Sequence, residues 1–114
     1  MKKALNIAAA GEALTGLALL VVPSLIGQLL LGQQLAGVAI PVARVTGIAL
    51  IALGLACSAG PLIAMFVYSS AVTLYLAYLG FTGEFSGMLL WPAAVVHAVL
   101  SILLGRAWLV AEPN

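Results

Sequence analysis

Glu12, Arg44, Tyr75 and His97 stand out chemically from their surroundings in this sequence. A glutamate and a histidine can bind a proton, a cation or a polar ligand. An arginine takes an anion, and a phenol hydrogen-bonds a carboxylate or an imidazole. Glu12 interrupts "NIAAAGEALTGLALL" (residues 6–20), which otherwise reads as half of a membrane-spanning helix. A carboxylate in hydrocarbon costs about 2.5–3.5 kcal/mol on insertion scales if nothing compensates it. Polar residues held there either carry a function or fix helix register, through hydrogen bonds worth about 0.6 kcal/mol each. For Glu12 and His97 both readings stand. For the tyrosines, packing in the core or at the interface is the competing role.

The surroundings are lipid-like. Of 114 residues 65% are hydrophobic and 6% charged, where a soluble domain carries roughly a quarter charged residues. Four cations and three anions cannot cover a soluble protein of 11.6 kDa with a mean hydropathy of +1.28. The lipid bilayer is the expected partner. A net charge of +1 without a basic stripe excludes nucleic acid. The single cysteine, Cys57 in "GLACSAG", excludes an internal disulfide and a multi-cysteine metal site. It reads as a buried, inert thiol, with a reactive thiol as the alternative. G-x-S-x-G, H-E-x-x-H, C-x-x-C and a glycine-rich phosphate loop are all missing from the sequence. No catalytic residue, metal ligand set or cofactor is assigned. One histidine cannot supply both axial ligands of a haem, although a symmetry mate could complete a site.

The elements that must position these residues follow from length and punctuation. A span needs about 20 apolar residues. Four segments qualify, at about 4–22, 40–58, 61–80 and 88–109, in one transmembrane domain over 1–114. Gly60-Pro61 marks a turn, and "FTGEFSG" (81–87) is a loop. Residues 23–40 are expected to include a short interfacial helix, with Leu25, Ile26, Leu29 and Leu30 on one face. Extension of the first span past a kink at Pro23 is the alternative. Residues 4–22 are read as retained, not cleaved, because Glu12 interrupts the apolar run. Lys2, Lys3 and Arg106 place both termini in the cytoplasm. The expected fold is an all-α, up-down-up-down four-helix membrane bundle.

Depth and face then group the polar residues. Glu12 falls roughly 12 Å from the cytoplasmic edge and His97 about 16 Å from the same edge. First and last helices of a bundle are usually neighbours, so a Glu12–His97 contact is expected. Arg44, Gly47, Ile51 and Gly54 recur at steps of three or four, so Arg44 is read as facing the bundle, with snorkelling to the interface as the alternative. Ala93, His97, Ser101 and Gly105 form a second small-residue seam, and Ala8, Glu12, Thr15 and Gly16 a third. Tyr68, Ala71, Tyr75 and Tyr78 form a stripe on span three, with Tyr75 between the levels of His97 and Arg44. Tyr78, Trp91 and Trp108 read as interfacial anchors.

Two resemblances bear on function. "GEALTG" in the first of four helices within about 110 residues is similar in outline to the small multidrug resistance exporters. Those exchange protons for cations on a membrane-embedded glutamate. Arg44 and His97 depart from that pattern, and span three lacks the tryptophan of that family. "ARVTGIALIALGLACSAGP" (43–61), followed by a tyrosine-rich helix, resembles the DoxX-like small bacterial membrane proteins. That resemblance implies a four-helix bundle and a lipid-soluble ligand or partner, some members being linked to quinone-dependent respiratory enzymes.

The expected protein is therefore a multi-pass protein of the bacterial inner membrane. It binds or transports a proton-coupled or lipid-soluble small molecule at Glu12, His97, Arg44 and Tyr75. The alternative is a non-catalytic accessory subunit of a larger membrane complex, and a homo-oligomer is a further expected partner. An acid–base enzyme on Glu12 and His97 ranks third, for want of a nucleophile or cofactor motif.

Overall fold

The computed structural model describes residues 2–110, with side chains from Lys3 onward. Met1, the Lys2 side chain and the "AEPN" tail lie outside the described residues, and with them part of the orientation argument. The described residues form five helices: α1 (Lys2–Val21), α2 (Pro23–Leu31), α3 (Ala39–Ser58), α4 (Pro61–Thr82) and α5 (Leu90–Val110). Four of them, all but α2, are long and apolar enough to cross a membrane. Their bounds fall within two residues of the four expected spans.

Proline and glycine set the boundaries. Pro23 has no N–H and disfavours helical geometry in the residue before it. Val22 accordingly leaves the helix (φ −132°, ψ 62°) and α2 begins afresh at Pro23. The short helix is thus separate from α1, not an extension of it. Gly32 (φ 80°) ends α2 in the left-handed region that glycine enters without a Cβ penalty. The chain then folds back: Ser24 Oγ donates to the Leu35 carbonyl at 3.0 Å, and Leu35 lies over Gly27. Gly83 (φ 75°) closes α4 in the same way, its N–H bonded to the Leu79 carbonyl.

Helix pairing is governed by glycine. A Cβ on Gly47 would lie 2.5 Å from the Gly16 carbonyl oxygen, and one on Gly54 would lie 2.8 Å from that of Ala9. The α1 and α3 backbones therefore touch, through a seam of Ala9, Ala13 and Gly16. The third small-residue seam expected from the sequence is corrected here, because Ala8 and Thr15 are exposed and only Gly16 of that set enters the contact. "AAAGEALTG" is small on every face, so it could not choose among faces. The glycine spacing on α3 does. On the other side, Gly80 of α4 receives the Trp91 indole and Gly105 of α5 receives the Phe66 ring.

The helices pack in the order α1, α3, α4, α5, with α2 against α1 and α3. Among the described residues no Cα of α1 comes within 8 Å of one of α5. The four long helices stand in a row, and the molecule measures 47 × 35 × 16 Å. The expected neighbouring of first and last helices is corrected by this arrangement. The α1 glycine seam is taken up by α3 and that of α5 by α4, which leaves α1 and α5 as opposite edges.

Candidate functional site

The row sorts the four sequence-derived residues into separate places. Arg44 and Tyr75 come together. Both line one cavity of about 300 Å³ between the start of α3 and the end of α4, with Tyr78, Glu84 and Phe85. Arg44 sits about 8 Å along α3 from Ala39, and Tyr75 about 10 Å back from Thr82, which brings the two to similar levels at this end of the row. Arg44 is half-buried and lines this cleft.

Local structure explains the cleft. The Tyr75 and Tyr78 rings stack 6.3 Å apart at 21°, which fixes one wall. The left-handed turn at Gly83 directs Glu84 and Phe85 back across the end of α4. Gly37 (φ 60°) leads into α3 on the opposite wall, where Pro41 is buried. Among the described residues, Arg44, Tyr75, Tyr78 and Glu84 form no side-chain hydrogen bond or ion pair with protein groups. The cleft is thus lined by two half-buried residues, Arg44 and Tyr75, and two exposed ones, Tyr78 and Glu84, whose polar groups remain available to a ligand.

His97 is held elsewhere, on the α4 side of α5. Its Nδ1–H donates to the Ala93 carbonyl at 2.8 Å. A carbonyl can only accept, so Nδ1 carries the hydrogen and Nε2 is left for another partner. The Tyr68 ring meets the imidazole edge-on, with centroids 6.2 Å apart. Ser101 Oγ donates to the His97 carbonyl at 2.8 Å, and Gly105 continues the seam against Phe66. The expected face of Ala93, His97, Ser101 and Gly105 is thus the packing seam with α4.

Glu12 is half-buried on α1, beside the seam with α3. With α3 and α4 standing between α1 and α5, the structure does not bring Glu12 and His97 together. Cys57 is also corrected: the thiol is exposed, because α3 gives its Gly47–Gly54 face to α1 and buries Ile48 and Ala52, while the turn carrying Cys57 lies beyond both.

Sequence reasoning missed three members of these sites. The sequence marks Tyr78 as an anchor and Tyr68 only as part of a stripe, and places Glu84 within the 81–87 loop without singling it out. The usable signal was spacing. Tyr75 and Tyr78 lie three apart on one helix face, and Glu84 follows directly on a glycine at the helix end. Among the described residues no group of three or more His, Cys, Asp or Glu could hold a metal ion. Compared with family models, curated proteins and solved structures, the chain finds no match.

Proposed function

We propose that this protein is a multi-pass membrane protein that binds a lipid-soluble small molecule in the cleft of Arg44, Tyr75, Tyr78 and Glu84. The carrying observation is that cleft, where charged and hydrogen-bonding side chains converge within an apolar chain without protein partners. Small-molecule sites commonly offer about 300–1,000 Å³, with a few polar groups in a largely apolar lining. Arg44 supplies a fixed positive charge and the phenols orient the ligand's polar end.

The reading includes an up-down-up-down order of the four spans, with both termini on the cytoplasmic side of a bacterial inner membrane and α2 lying in the interface. The pairings of Ala9 with Gly54 and Gly16 with Gly47 support the first part. Kinship with the DoxX-like proteins belongs to the same proposal and rests on residues 43–61.

The test is thermal stabilisation of the purified protein by quinones, lipophilic cations and phospholipids, repeated on Arg44→Gln and Tyr75→Phe. A ligand that stabilises the wild type and loses its effect in both variants supports the reading. Equal responses in all three proteins overturn it. A second reading, as an accessory subunit of a larger complex, is favoured by how little the row covers itself: 6% of the α5 span and 11% of the α1 span is buried. Co-purification with a stable assembly, lost on substitution of exposed α1 or α5 residues, would select that reading.

A further inference from the structure

The cleft does not end at its polar residues. A second cavity of about 600 Å³ adjoins it, lined by Val38, Val42, Val45 and Leu76 among others. Pro41, Leu79 and Phe85 line both. A polar cleft and an open apolar groove therefore share a wall at the same end of α3 and α4. That arrangement fits an amphiphile with a compact head and a hydrocarbon part.

The charges specify the head. Half-buried Arg44 and Glu84, exposed on the loop after Gly83, line the same cleft, and among the described residues no ion pair joins them. A purely anionic head would meet Arg44 but also an unneutralised carboxylate. A purely cationic one would meet the converse. Only a head carrying both signs answers both residues. Guanidinium forks match phosphate oxygens in bidentate geometry. An ammonium is bound by a carboxylate and attracted to the faces of tyrosine rings within about 6 Å, and Tyr75 and Tyr78 both line the cleft beside Glu84.

Resting on the proposed binding cleft, we infer that its ligand is a zwitterionic amino-phosphate amphiphile. Its phosphate lies on Arg44, its ammonium at Glu84 and the tyrosine pair, and its apolar chain in the Val42–Leu76 groove. A carboxylate acceptor suits a primary ammonium, with its three donors, better than a quaternary one, which has none. The same head chemistry occurs in a phosphatidylethanolamine lipid and in free phosphoethanolamine. The groove assigns the lipid.

The experiment is lipid titration of the full-length protein in detergent, read by native mass spectrometry and thermal shift. The probes are phosphatidylethanolamine, phosphatidylcholine, phosphatidylglycerol and free phosphoethanolamine. The wild type is expected to prefer phosphatidylethanolamine over phosphatidylglycerol at least three-fold. Arg44→Gln should weaken both lipids about ten-fold, and Arg44→Lys should restore part of the loss, which keeps the test valid if Arg44→Gln folds poorly. Glu84→Gln, at an exposed loop position, should abolish or reverse the preference without weakening phosphatidylglycerol. Val42→Trp should weaken the lipids and spare free phosphoethanolamine. Equal affinity for all lipids in the wild type, or a preference untouched by Glu84→Gln, overturns the inference, as does free phosphoethanolamine binding as tightly as the lipid. A quinone that depends on Arg44 and Tyr75 while no phospholipid does would overturn the head-group assignment and leave the cleft reading standing. Loss of all dependence on Arg44 and Tyr75 would remove both.

Discussion

Gly16 and Gly47 occupy each other's only space: a Cβ on either would run into the other helix, the one on Gly47 lying 2.5 Å from the Gly16 carbonyl oxygen. The obstacle on both sides is backbone, which cannot step aside as a side chain end can. Overpacking of this kind typically costs about 1–3 kcal/mol. Gly47→Ala should therefore lower the unfolding temperature in detergent clearly, and Gly47→Val should separate α1 from α3. Gly11, one helical turn and a half away on α1, has nothing within 4 Å of its missing Cβ. Gly11→Ala should be neutral or raise stability by about 0.5–1 kcal/mol through helix propensity. Equal losses at positions 11 and 47 would contradict the seam.

The α4–α5 contact responds differently to the same change. At Gly80 the obstacle is the far end of the Trp91 side chain, 2.5 Å from a built Cβ at the indole Cζ2. An indole can re-orient. Gly80→Ala should cost less than Gly47→Ala and should shift the Trp91 fluorescence, and Trp91→Phe should remove most of the remaining cost. A double-mutant cycle over positions 80 and 91 measures that coupling.

Glu12 and His97 stand on opposite edges of the row, with α3 and α4 between them. Substitutions at independent sites usually add within about 0.3–0.5 kcal/mol. The effects of Glu12→Gln and His97→Ala, on stability or on any proton-coupled activity, should sum in the double variant. His97 and Tyr68 should couple instead, since their rings meet at 6.2 Å. Tyr68→Phe keeps the ring and should preserve most of that coupling, whereas Tyr68→Ala should abolish it.

Topology is open to labelling in a Cys57→Ala background. Single cysteines at Lys3 and Ala107 should react from one side of the membrane and one at Ser86 from the other. Labelling of positions 3 and 107 from opposite sides would contradict an up-down-up-down order.

The spans were legible because Pro23, Pro61, Gly60 and Gly83 are read by backbone rules that hold in lipid as in water. The partner of each helix was not. In a membrane, hydrophobicity does not tell a buried face from an exposed one, because the lipid is as apolar as a leucine side chain. α1 offered small residues on all sides, and only the contact with Gly47 and Gly54 decided among them. The place of Glu84 was hidden for another reason. It depends on how the chain leaves Gly83, a loop geometry that periodicity does not reach.

The single-file order of the four helices has a consequence for traffic. A wall one helix thick has no lumen, so one copy of the chain cannot enclose an aqueous path from one side of the membrane to the other. The cleft at Arg44 lies between the start of α3 and the end of α4, so the proposed ligand would reach it without a path through the protein, its supply set by partitioning into lipid and lateral diffusion. Carriage across the membrane would require further copies standing around a shared axis, and its rate would then rise with the surface density of protein more steeply than in proportion.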